Sequence, residues 1–275
     1  MRVLRAWLRP EIGTGNFLSL LWGSLVSIAL VVFVNIGQPY VLLENLQIES
    51  AEGRITGGLV LAAELVTLLS IGYVGVLLDR VGRRPVIVAG TLIMAFAYAI
   101  MPLADSLLFL FLVRIVLALG TTAETSTITT LMHDYADERA RGRLVALVAV
   151  LMGIGAVLMN VVVGNLPARF VATGYDAVTA GRYMHWIVAG ICVLSAAVFR
   201  FGFTPGTPLA REARLGQREL VRRGLEAARR PRVALAFVAG FVSRSDLVIV
   251  GTFVVLWGTV AGRAAGLDTP DAVAS

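Results

Sequence analysis

The sequence predicts an all-α membrane protein, and three observations carry that prediction. Mean hydropathy is +0.82 with only 15% charged residues, too little charged surface to keep a soluble domain of this length dispersed. Apolar runs long enough to cross a bilayer recur along the whole chain. None of them alternates in the manner of a lipid-facing barrel strand, which leaves helices, whose backbone polar groups are satisfied internally, as the spanning element.

Seven spans follow in order: Phe17–Val34, Leu59–Leu78, Val86–Met101, Leu107–Leu131, Leu144–Val163, Tyr183–Phe203 and Val233–Val260. Each crosses most or all of a hydrocarbon core about 30 Å thick, at a rise of about 1.5 Å per residue. Arg2, Arg5 and Arg9 precede the first run, as in a secretory leader. That run is longer than a leader's core, however, and no small-x-small site follows it, so it reads as a permanent span.

Orientation follows from the basic residues, all 24 of which are arginine. With the amino terminus in the cytoplasm, eighteen of the 24 lie in cytoplasmic segments, four outside (Arg54, Arg169, Arg182, Arg263) and two within spans (Arg114, Arg244). The reverse orientation inverts this bias, so the chain is expected to sit in the plasma membrane, the inner membrane of a bacterial cell, with its amino terminus cytoplasmic. The net charge of +6 and pI of about 10.2 do not indicate nucleic acid, because the arginines sit in short connections between spans. Cys192, the one cysteine, falls inside an apolar run and reads as a small buried side chain.

The connection between spans six and seven, residues 204–231, is polar, Arg-rich and bracketed by Pro205, Pro208 and Pro231. Leu215, Leu220, Val221 and Leu225 share one helical face, while Arg214, Arg218, Arg222 and Arg229 face water or lipid phosphates. The predicted organisation is a six-helix bundle over 1–203, an amphipathic cytoplasmic connector over 204–231, and the first helix of an incomplete second bundle over 232–275.

The turn after span two reads G-V-L-L-D-R-V-G-R-R-P from Gly75 to Pro85. It is a short interhelical hairpin, with Gly75 expected to let backbones approach and Gly82 to turn the chain. Asp79 among Arg80, Arg83 and Arg84 predicts a local ion-pair network at the cytoplasmic rim. In Gly75, Leu77, Asp79, Arg80, Gly82, Arg83 and Arg84 this segment closely resembles the signature loop between the second and third helices of the major facilitator superfamily of secondary transporters. Arg114, Ala118 and Gly120 are similar to the family's arginine-and-glycine pattern in the fourth helix, with alanine where glycine is frequent. The stretch from His133 to Arg143 resembles its acidic and Arg-Gly-Arg connector.

The resemblance implies a transporter of a small-molecule substrate, working by alternating access and proton coupling, without a cofactor. It implies that Asp79, Arg83 and Arg84 form a cytoplasmic gate with Asp134, and that two helical bundles rock about a site near the midplane. Family members have two six-helix halves. The chain is therefore expected to be a fragment lacking its second bundle, or to be completed by another chain, and not to transport alone.

Ionisable groups within spans need a partner or a watery cavity. Glu64 and Arg114, each about ten Å from the outer face by helical rise, are expected either to pair between spans two and four or to serve the transport pathway. Arg244 and Asp246 are two apart on span seven and point to different sides. By the resemblance, Arg114, Arg244 and Asp246 are candidates for substrate binding, and Asp246 or Glu64 for carrying a proton. Glu124, nearer the cytoplasm, is expected to join the gate network. Asn35 and Gln38 are weaker cavity candidates, and Gly153, Gly155 and Gly164 are read as close-packing positions in span five. That span lacks the glycine–proline pair that marks many antiporters.

Other functions fare worse. An enzyme has only His133 and His185 to work with, no H-E-x-x-H and no lysine for a Ser–Lys dyad. A seven-helix photoreceptor needs a lysine, and a seven-helix receptor needs its amino terminus outside. A regulatory or scaffolding half-transporter stays open.

Overall fold

The structure is a computed structural model that describes residues 7–48 and 52–205, with isolated stretches between 219 and 262. The chain forms two compact units, Met1–Thr207 and Pro208–Val273. Helices α1 Thr14–Tyr40, α2 Glu52–Arg80, α3 Arg83–Ile100, α4 Leu107–Tyr135, α5 Arg141–Leu158, α6 Leu166–Ala172 and α7 Ala177–Gly202 build the first unit. Wide turns at Val41–Asn45 and Met159–Val163 prolong α1 and α5. Among the described residues, six helical segments are long and apolar enough to cross a membrane.

The observed helices overrun the predicted spans by several residues at most ends. Hydropathy marks only the lipid-immersed part, whereas polar residues such as Thr14, Arg80 and His133 continue the helix into the interfacial zone. The seventh predicted span, Val233–Val260, lies mostly outside the described residues. In the second unit, Arg222 is paired with Glu219 at 3.0 Å and with Glu226 at 3.6 Å. The Arg222 side chain stays 67% exposed, so it faces water while also pairing with carboxylates one helical turn to either side.

Two close crossings organise the first unit. At Gly90 and Gly120, α3 and α4 approach until a Cβ on either glycine would stand 2.9–3.0 Å from the other's carbonyl oxygen. At Gly155, α5 lies directly on α1, and a Cβ there would be 1.7 Å from the Leu25 carbonyl oxygen. Small residues at such crossings replace the hydrophobic drive that lipid removes with van der Waals contact. Gly153, also read as a packing position, has nothing within 4 Å of its would-be Cβ, so that expectation is corrected. Two residues along a helix is a rotation of about 200°, which turns it away from α1.

Helix α1 is the central post. Its buried face runs from Phe17 through Leu20, Leu30 and Phe33 to Tyr40, and α7 seals it. Tyr40 Oη donates to the Ala177 carbonyl at 2.9 Å, and Trp22 Nε1 donates to Ser195 Oγ at 3.1 Å. By contrast α2 and α5 expose apolar rows, Leu61, Leu65, Leu68 and Leu69 on one and Val150, Ile154, Val157 and Val161 on the other.

Candidate functional site

The hairpin is assembled from the end of α2. Val81 N–H still donates to the Leu77 carbonyl at 2.8 Å, and the chain then reverses at Gly82, with φ 108° and ψ 162°. Only glycine adopts that conformation without strain. Beneath the turn, Val74, Leu78, Val86 and Ala123 form a small buried cluster with Leu77 against it, which fixes the hairpin on α4.

Arg83, the first residue of α3, therefore points back over the end of α2. One guanidinium nitrogen, Nη1, donates to the Leu78 carbonyl at 2.6 Å and to Asp79 Oδ1 at 3.2 Å, while Nε donates to Asp134 Oδ2 at 3.0 Å. A cation at the C-terminal ends of α2 and α4 also meets the negative end of each helix dipole. The Arg83 side chain is 11% exposed, against 40% for Asp79 and 35% for Asp134. Pairs this open to solvent are worth about 0.2–1 kcal/mol each.

The same end is tied down beside Asp134. Arg9 N–H donates to the Tyr135 carbonyl at 3.0 Å, and Asp137 N–H donates to the Trp7 carbonyl at 2.9 Å, which makes an antiparallel bridge at Leu8 and Ala136. The Tyr135 hydroxyl accepts from Thr204 N–H at 3.3 Å, and its ring meets Phe203 edge-on at 6.2 Å. The chain before α1 and the end of α7 thus converge on the residue next to the acidic partner of Arg83.

Of the residues singled out from sequence, Asp79, Arg83 and Asp134 are brought together, and Gly82 makes the turn. Arg80 and Arg84 have no ion-pair partner among the described residues, so the expected network narrows to one arginine, whose place at the start of α3 aims it inward. Gly75 has nothing within 4 Å of its would-be Cβ. Its expected role in a close approach is not realised within this unit, because it sits on the outward side of α2.

Arg114 is 7% exposed, with Nε unpartnered, and Glu64 on α2 and Tyr98 on α3 both act on it electrostatically. Arg244 and Asp246 lie outside the described residues. Gln38 is buried with Oε1 unpartnered, and Asn35 is half-buried.

Glu124 does not join the hairpin network. It is 0% exposed, its Oε2 accepts from Ser27 Oγ of α1 at 2.8 Å, and ten residues of α4, about 15 Å of rise, separate it from Asp134. His185, weighed from sequence only as an enzyme's histidine, is buried with Nδ1 at 2.8 Å from the Gly181 carbonyl and edge-on to Phe33.

The chain is similar to known proteins. The chain is 29% identical over 222 residues to "Magnetosome protein MamH" of Paramagnetospirillum magneticum, covering 78% of this chain and 48% of MamH. It is 34% identical over 131 residues to "Multidrug resistance protein MdtH" of Proteus mirabilis, covering 48% of this chain and 30% of that protein. It is 28% identical over 130 residues to "Proton myo-inositol cotransporter hmit-1.2" of Caenorhabditis elegans, covering 47% of this chain and 20% of that one. The chain thus spans at most about half the length of these relatives. The family model for the Major Facilitator Superfamily matches residues 16–270, nearly the whole chain and every helix built above. The chain belongs to the Major Facilitator Superfamily.

Proposed function

We propose that this chain forms the amino-terminal bundle of a secondary active transporter that moves a small solute by alternating access, coupled to protons. The hairpin end of the bundle faces the cytoplasm, as the arginine asymmetry requires, and Asp79, Arg83 and Asp134 act there as a latch with Gly82 as its fixed pivot. Arg80 and Arg84, without an ion-pair partner among the described residues, stand at the same rim to meet a second bundle. The observation that carries the reading is the double engagement of Arg83, at 3.2 Å to Asp79 and 3.0 Å to Asp134. Contacts worth about 0.2–1 kcal/mol hold one state yet break within a transport cycle. Glu64 and Arg114, with Arg244 and Asp246, are the proposed substrate and proton pathway. The names of the relatives, a multidrug resistance protein and a proton myo-inositol cotransporter, support a small organic solute.

The test uses the completed protein in cells, with radiolabelled myo-inositol uptake and ethidium extrusion as probes. Asp79→Ala leaves Arg83 bound to Asp134 and shifts the closed-to-open ratio by up to about five-fold; Arg83→Gln releases both carboxylates and is the more damaging. Both variants should insert normally and transport more slowly. Unimpaired transport by Arg83→Gln defeats the latch.

A further inference from the structure

Glu124 stands apart from the latch and from the pathway residues named above. Its carboxyl is fully buried inside the bundle. Oε2 is bonded to Ser27 Oγ at 2.8 Å, and Oε1 is buried with no hydrogen-bond partner. The titratable groups on which it acts electrostatically include Tyr98 from α3 and Cys192 from α7, a phenol and a thiol. From α1 it meets only the hydroxyl of Ser27, and no charge on α2 or α5, which also pack on α4, acts on it. Arg114 is ten residues away on the same helix, about 15 Å of rise. No cation among the described residues forms an ion pair with this carboxyl.

We infer that Glu124, with Ser27 as its hydrogen-bonding partner, is a proton-binding site of the bundle. Among the described residues an ionised carboxylate here has one hydrogen bond and no counter-charge, which a dry interior penalises heavily. Binding one proton removes the charge. Oε2–H then donates to Ser27 Oγ, and Oε1 becomes a neutral carbonyl oxygen, far cheaper to leave unpaired. The site spans two helices, Ser27 on α1 and Glu124 on α4, so relative movement of these helices alters the bond that holds the acid. The proton comes from water as the acid forms and returns to water when the carboxylate re-forms. The coupling role rests on the transporter reading; the proton site itself does not.

The test is infrared spectroscopy of the purified full chain in phospholipid vesicles, across a pH series. The expected result is a protonated-carboxyl carbonyl band at neutral pH that bleaches reversibly in alkali, disappears in Glu124→Gln and changes frequency in Ser27→Ala. Glutamine matches the neutral acid in shape, and size-exclusion chromatography checks that the variant folds. If the parent shows no such band, if Glu124→Gln leaves it intact, or if it persists at every pH, the proton site is overturned. In the completed protein, Glu124→Gln should equilibrate myo-inositol but no longer accumulate it on a pH gradient. Undiminished accumulation overturns the coupling role alone, whereas a parent protein that moves neither probe counts against the transporter reading and leaves the spectroscopic result standing.

Discussion

Two glycines in one hairpin show how much a single residue's surroundings decide. Gly82 sits at φ 108°, so Gly82→Ala forces a side chain into backbone space that costs on the order of 1–3 kcal/mol. Gly75 lies inside a helix with open space where its Cβ would go, and alanine there is favoured by about 0.5–1 kcal/mol. Thermal unfolding of the purified variants should therefore show Gly82→Ala clearly destabilised and Gly75→Ala as stable as the parent or more so. Equal destabilisation by both would mean that the hairpin backbone is misassigned. Nothing in G-V-L-L-D-R-V-G distinguishes the two positions in this way. Arg83 differs from Arg80 and Arg84 for a similar reason: only the first residue of α3 is directed back over the carbonyl ends of α2.

At the scale of helices, α1 is clasped by α5 and α7 through contacts that tolerate no added atoms. A methyl at position 155 would meet the Leu25 backbone, which cannot step aside, so Gly155→Ala should cost about 1–3 kcal/mol or more through overpacking. Gly153→Ala, with open space for the methyl, should be as stable as the parent or more so in the same unfolding assay. Helix α4 shows another device. Its run T-T-A-E-T-S-T-I-T-T is polar for a membrane helix, yet Thr122, Thr125, Thr127, Thr129 and Thr130 each donate their hydroxyl to the carbonyl four residues earlier, as lipid demands. Helix α7 is started by Asp176, whose carboxylate accepts from Thr179 N–H at 2.9 Å. The backbone hydrogen bond of Thr179 holds this carboxyl below its ordinary 3.8. A depressed carboxyl binds fewer protons folded than unfolded, so its stabilisation is present above about pH 3.8 and fades as the pH falls through the lower folded value. Asp176→Ala should accordingly lower the melting temperature at neutral pH and lose that effect in strong acid. A pH-independent difference would remove the capping role.

For the whole molecule, the orientation can be read from the outside. Asp105 and Glu138 are exposed at opposite ends of α4, while native Cys192 is fully buried and silent to polar reagents. A membrane-impermeant maleimide applied to intact cells should label Asp105→Cys and not Glu138→Cys; inside-out vesicles should reverse the pattern. Labelling of Glu138→Cys in intact cells would invert the topology and move the latch to the wrong face. The long apolar rows on α2 and α5 are ordinary for a chain whose solvent is lipid, and they set these two helices apart from the enclosed α1.

The sequence by itself determined the solvent, the helical class, the order of the first six spans and the hairpin at Gly82, because hydropathy, span length and glycine at a turn are local properties that need no partner. It also held the family, since Gly75 to Arg84 is a contiguous pattern. Tertiary structure alone decided that Arg83, and not Arg80 or Arg84, takes both Asp79 and Asp134, that Gly155 packs while Gly153 does not, and that Glu124 turns to Ser27 rather than to the hairpin. Each of these depends on which face of one helix meets another. A repeat of 3.6 residues per turn rotates neighbours on the same apolar run to opposite sides, and a helix that is apolar all round carries no stripe to say which side is inside.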